Sequence, residues 1–139
     1  MDILTTVPVR VLSGQDIAPI LESVNQRIAR RAYEHYIDRG SVDGHSLEDW
    51  LDAERDLVIR LAPMMSIDDE DITVDVLLPT HDMPDVAVHI APCQFLISSG
   101  IDEAGLQICQ VIDLPYEVSM DGVDAEQNGN MIRITAALA

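Results

Sequence analysis

Four histidines, two cysteines and 25 carboxylates are the groups from which this chain could build acid-base, metal or nucleophilic chemistry. His35 and His45 stand ten residues apart, and a tetrahedral metal site would need a cysteine or a spaced carboxylate pair to complete it. They lie on different elements and neither a cysteine nor such a pair completes a tetrahedral set with them, so the two read as solvated or helix-capping side chains. His81 and His89 flank a strand turn and read as surface residues. Cys93 and Cys109 fit no close-spaced pair; in a reducing compartment they read as small buried hydrophobes, with pairing across neighbouring strands as the alternative. Ser13, Ser98 and Ser99 lie in no Gly-x-Ser-x-Gly elbow, and no glycine-rich phosphate loop or His-Glu-x-x-His motif occurs. The run Asp68-Asp69-Glu70-Asp71 lacks the alternating oxygen ligands and turn glycine of a calcium loop and reads as a solvated acidic linker. No catalytic, cofactor-binding or metal residue is assigned. A protein that is not an enzyme and carries no cofactor is expected.

The charge balance narrows the partners. The 139 residues hold eight arginines, no lysine and a net charge of −17. A polyanion would repel such a surface before specific contacts formed, which excludes nucleic acid and disfavours anionic membranes. Apolar residues make up 47%, enough for a packed core in one ordinary domain or two very small ones. No apolar run approaches the roughly 20 residues of a membrane span, and Met1-Asp2-Ile3-Leu4 lacks the basic segment of a signal peptide, so a cytoplasmic location is expected. Residues 1–62 hold seven arginines against eleven carboxylates, a net −4, whereas residues 63–139 hold Arg133 against fourteen, a net −13. That shift places a boundary at Pro63. The expected division is an N-terminal segment over 1–16, a two-helix module over 17–62 and a β-sandwich over 63–139.

The elements that must position any site follow from periodicity. Val7 to Leu12 alternates weakly and contains Pro8, so as a strand it belongs at a sheet edge, where a missing backbone donor costs least. From Asp16, read as an N-cap with Pro19 in the first turn, apolar residues at Ile17, Ile20, Leu21, Val24, Ile28, Ala32 and Tyr36 form one helical face, and Gly40 ends it. Ser46 is read as the cap of a second helix with the stripe Leu47, Trp50, Leu51, Leu57, Val58 and Leu61, running to Ala62 before Pro63. A short polar link makes the pair an antiparallel hairpin, with Trp50 in the core between the helices. Period-two runs follow at Ile72–Leu78, Val86–Ile90, Phe95–Ile97, Leu106–Leu114, Val123–Ala125 and Ile132–Ala136, separated by Pro, Gly, Asn and Asp. Six half-buried strands call for two sheets, and the fold class is α+β: a helical hairpin followed by a small antiparallel β-sandwich of immunoglobulin-like topology.

Two family resemblances overlie this reading. Arg31-Ala32-Tyr33-Glu34, Arg39-Gly40, Asp43-Gly44 and Leu47-Glu48-Asp49-Trp50-Leu51 with Ala53-Glu54 resemble an uncharacterised bacterial helical family, domain of unknown function 2934. The resemblance implies a helical module found beside other domains and supplies no catalytic residue. Val74 to Pro79 followed by Met83-Pro84-Asp85-Val86, then Val88-His89-Ile90, Phe95-Leu96-Ile97-Ser98, Leu114-Pro115 with Val118 and Val123-Asp124-Ala125, and finally Ile132-Arg133-Ile134, resemble the α-crystallin domain of small heat-shock proteins, a sandwich shared with p23-type co-chaperones. The departures matter. Gln110 stands where the family has an arginine that helps organise a dimer contact, and Gly129-Asn130 replaces the usual Asn-Gly or Asp-Gly of the last hairpin. About six residues between Ser99 and Leu106 cannot hold the long exchanged loop of bacterial members, and no Ile-x-Ile tail follows the last strand.

The resemblance implies a chaperone or client-binding module that holds extended segments on a sandwich edge or groove, with Val86, Val88, Ile90, Val123 and Ala125 as the candidate groove. The alternative is a p23-type adaptor that binds one folded partner; an enzyme or metal-dependent activity ranks third. Protein clients or one protein partner are expected, in a monomer or dimer rather than a large shell. Arg27, Arg30, Arg31, Tyr33 and Trp50 form the candidate helical interface, which is expected to pack over the acidic sandwich and guard its binding edge.

Overall fold

A computed structural model describes residues 6–13, 17–41, 43–79 and 83–139; the Asp16 cap and His81 lie outside them. Helix α1 spans Ala18–Asp38, with Pro19 in its first turn and no side-chain cap at Ile17. Gly40, at φ 84°, takes the left-handed conformation that ends it, as its sequence position predicts. Helix α2 spans Ser46–Leu57; the cap position belongs to His45, and Ser46 is already helical. The helix therefore stops five residues short of Ala62. Val58, expected on the helical stripe, turns to extended backbone and starts strand β3 (Val58–Ile59). β-branched Val58 and Ile59 gain more by pairing with a sheet than by prolonging the helix.

The six expected strands are present: β5 (Asp71–Leu77), β6 (Ala87–Ala91), β7 (Gln94–Ser98), β8 (Gln107–Asp113), β9 (Asp124–Asn128) and β10 (Met131–Ala137). Four further strands join them: β1 (Thr6–Pro8), β2 (Arg10–Ser13), β3, and β4 (Met64–Ile67). One sheet runs β1-β9-β10-β5-β4 and the other β2-β6-β7-β8-β3. The pairings between the six are antiparallel, whereas β2 on β6 and β3 on β8 are parallel. Pro8 does sit in an edge strand. The N-terminal run serves both sheets, passing between them at buried Val9, whose N–H donates to the Ala125 carbonyl at 2.9 Å.

The core lies between the sheets. Ile72, Val74, Val76, Val88, Ile90, Phe95, Ile97, Ile108, Ile132 and Ile134 are essentially inaccessible to solvent. The alternation along β5, with every second residue buried, is the period-two pattern read from the sequence. β9 and β10 are joined by Gly129-Asn130; only Gly129 has positive φ, at 62°, the pattern of a two-residue turn with Gly first. A smaller cluster of Val24, Ile28 and Ala53, with Ala32, Trp50 and Leu57 against it, holds the helices together and extends to Val58 and Cys109 of the second sheet. The helical hairpin is thus docked on the sandwich. Leu47 and Leu51, assigned to the helical stripe, are instead exposed.

Candidate functional site

The five residues expected to line a groove do not form an open surface. Val88, Ile90 and Ala125 are buried, and Val86 and Val123 pack half-buried against the same core. The edge of β6 is occupied by the chain's own β2, in register Val11 to Val88. Strands with alternate apolar residues bury them against the facing sheet first, and only an unpaired edge is left for a partner.

That edge is β4. It pairs with β5 on one side, Met65 opposite Val74 and Ile67 opposite Ile72, and with no described strand on the other. Rows of core residues run outward across the sheet to it, Ile134 to Val74 to Met65 and Ala136 to Ile72 to Ile67. There the cover ends: Met64 is 60% exposed, Met65 36% and Ile67 42%. Sequence reasoning missed this strand because none of its faces is buried, so it shows no alternation. The available signal was the apolar pair Met64-Met65 with Ile67, set between Pro63 and the acidic run. That run is ordered, since Asp68 Oδ1 accepts the N–H groups of Glu70 and Asp71 at 2.8 and 2.7 Å, and these bonds hold the Asp68 carboxyl below its ordinary range.

The candidate helical interface divides. Arg27 reaches the sandwich, donating to the Gln107 side chain and, at 3.2 Å, to the Gly105 carbonyl. Arg31 turns instead to Asp56 and Glu34 within the hairpin, and Arg30 is exposed. Tyr33 and half-buried Trp50 line a cleft between α1 and α2. His35 Nε2 lies 2.8 Å from Asp56 Oδ2, and this bond, with Arg31 beside it, lowers the Asp56 pKa. Asp49 is buried and paired with Arg39, which lowers its pKa too. Among the described residues, no three His, Cys, Asp or Glu side chains gather in a metal-binding arrangement. No helix among them is long and apolar enough to cross a membrane.

Three further residues differ from expectation. His89 is buried, its Nε2 3.0 Å from Ser98 Oγ and its Nδ1 without a hydrogen-bond partner. Cys93 is exposed at the β6–β7 turn, while half-buried Cys109 lies opposite Ser98 on β8, so the two cysteines are not cross-strand neighbours. Gln110 accepts the Leu61 N–H at 3.2 Å and so ties down the segment leaving β3. The short link after β7 closes on itself, with Asp102 Oδ1 accepting the N–H groups of Ala104 and Leu106.

Two facing five-stranded sheets among the described residues, carrying a helical hairpin, define the class: an α-crystallin-like sandwich with a helical module. Comparison with known proteins agrees for both parts. Residues 24–58 match the model of a family described as a protein of unknown function, DUF2934. The chain is similar to heat shock protein 16.0 from Schizosaccharomyces pombe, at 14% identity and a TM-score of 0.51, over 70% of this chain and 87% of that one. It is also similar to an alanine-to-aspartate mutant of hsp14.1 from Sulfolobus solfatataricus P2, at 13% identity and a TM-score of 0.51, over 67% of this chain and 88% of that one. At these identities the likeness is one of fold. No curated protein sequence matches the chain.

Proposed function

We propose that the chain is a client-binding module of the small heat-shock-protein kind, which holds extended segments of unfolding proteins by strand addition along β4. It acts in the cytoplasm, without cofactor, nucleic acid or membrane. The observation that carries this reading is the edge itself: a four-residue strand, unpaired on its outer side among the described strands, with Met64, Met65 and Ile67 exposed beside it. An added strand gains backbone hydrogen bonds irrespective of its sequence, and the flexible thioethers of two methionines fit many side chains. The net charge of −17 keeps a loaded complex dispersed.

A second reading has its own observation. β4 is four residues long, a short docking strip better suited to one specific partner, as in a p23-type adaptor. Suppression of aggregation of two unrelated thermally unfolding proteins, at stoichiometric ratios, separates the two. Protection of both is expected, and it should fall several-fold in the Met65→Asp/Ile67→Asp double variant. Protection of neither supports the adaptor; undiminished protection by a folded double variant removes β4 as the site.

A further inference from the structure

The chain has five aromatic residues, and three of them, Tyr33, Tyr36 and Trp50, line a single cleft between α1 and α2. The cleft encloses about 340 Å³. The sandwich uses one aromatic residue, Phe95, in its core, which is otherwise aliphatic. Trp50 also packs against the cluster between the helices, but core packing does not account for Tyr33, which is 63% exposed. The Tyr33 and Tyr36 ring centroids are 6.0 Å apart and their planes are tilted by 30°, so the two rings form an angled wall with Trp50 on the opposite helix.

Charge completes the surface. Asp43 lies at the mouth and accepts a hydrogen bond from the Tyr36 hydroxyl at 3.2 Å. Its carboxylate pushes the Tyr36 pKa upward, which shows the negative charge is felt at the ring. Asp49, deeper in the cleft, is answered by Arg39, and His45 of the lining faces Glu48 at 3.3 Å, which leaves Asp43 as the lining carboxylate without a cationic partner among the described residues. Electron-rich ring faces beside a free carboxylate attract a cation, and a planar guanidinium both stacks on the rings and hydrogen-bonds the acid.

We infer that this cleft is a recognition pocket for a basic side chain, an arginine above all, presented by a polypeptide partner. The polypeptide source follows from the exposed apolar residues that adjoin the lining in sequence. Ile37, one turn beyond Tyr33, and Leu47, next to Ser46 of the lining, are both exposed. A chain carrying the arginine covers such apolar neighbours, whereas a free small cation leaves them in water. All the lining residues fall within the helical module, so the pocket is independent of β4.

Trp50 is the only tryptophan, so its fluorescence reports the pocket directly in the full chain. Titration with a blocked Gly-Arg-Gly tripeptide is expected to shift its emission saturably, with half-saturation on the order of 1 mM. The same peptide with citrulline, isosteric but neutral, should bind about tenfold more weakly. Tyr33→Ala and Asp43→Asn, both at exposed positions, should each weaken the arginine peptide about tenfold while leaving the circular dichroism unchanged. Absence of a saturable shift, equal binding of the citrulline peptide, or tetramethylammonium ion saturating the signal as well as the arginine peptide would each overturn the assignment.

Discussion

His89 shows how a single side chain can carry pH dependence in this fold. It lies on the outward side of β6, in register with Leu12 and Leu96, hydrogen-bonded to Ser98 through Nε2 and with Nδ1 unpartnered. Burial, and secondarily the nearby Arg10 charge, push its pKa below the ordinary 6.5. The sign follows: the unfolded chain takes up the proton first, so the contribution of neutral His89 is intact above about pH 6.5 and is lost as pH falls toward the folded pKa. Asp49, Asp56 and Asp68 have lowered values, and their contributions are lost only at more acid pH, below their ordinary 3.8. Urea midpoints at pH 7.5 and 5.0 should therefore drop for the native chain and much less for a His89→Leu/Ser98→Ala variant. That variant removes both partners together and should stay within about 1 kcal/mol of the native stability at pH 7.5. An equal drop in both proteins would remove His89 as the source.

At the scale of elements, legibility tracked burial geometry. β5 and β10 were readable because one face of each meets the facing sheet, Ile72, Val74 and Val76 on one and Ile132, Ile134 and Ala136 on the other. β4 was not, because no face of it is buried, and the end of α2 was not, because Leu57-Val58-Ile59 is equally apolar as helix or strand. The burial of His89 and Leu96 was invisible for a different reason: residues on the outer side of a sheet read as solvent-facing unless the chain is known to cover that side. The helical site was half legible, since sequence reading assigns Tyr33 and Trp50 to the helical interface, whereas Asp43 figures only in the family motif and Tyr36 only on the helical face, and these residues line one cleft only once the hairpin closes. Fully buried Ala53, in the cluster with Val24 and Ile28, sets how closely the hairpin packs. Ala53→Leu should overpack that crossing by about 1–3 kcal/mol, and a two-helix hairpin has little reserve of its own. Trp50 emission should then shift red at lower urea than the β-sheet dichroism is lost; coincident, unshifted transitions would mean the hairpin tolerates the added volume.

For the whole molecule, the arginines of the helical half answer the helical half. Arg31, Arg39 and Arg55 pair with Asp56, Asp49 and Asp52, and Arg60 with Glu54, while the one described arginine contact from the hairpin to the sandwich is from Arg27 to neutral groups. The expectation that positive charge holds the helices on the acidic sandwich gives way to apolar contact through Val58 and Cys109. The sandwich thus keeps its negative field, and Asp68 to Asp71 place part of it directly after the apolar β4 edge. Charges beside an open edge oppose pairing with a second copy, and their reach is set by salt: about 30 Å at 0.01 M but about 3 Å at 1 M. Light scattering should therefore give a molar mass near the 15.3 kDa of one chain at about 0.01 M salt, rising toward that of two as salt approaches 1 M. Met65→Asp/Ile67→Asp should hold the lower mass throughout, because it removes the apolar gain and adds charge at the same edge. A mass indifferent to salt would show that repulsion does not guard β4, and a many-chain assembly at low salt would show that association runs through another surface.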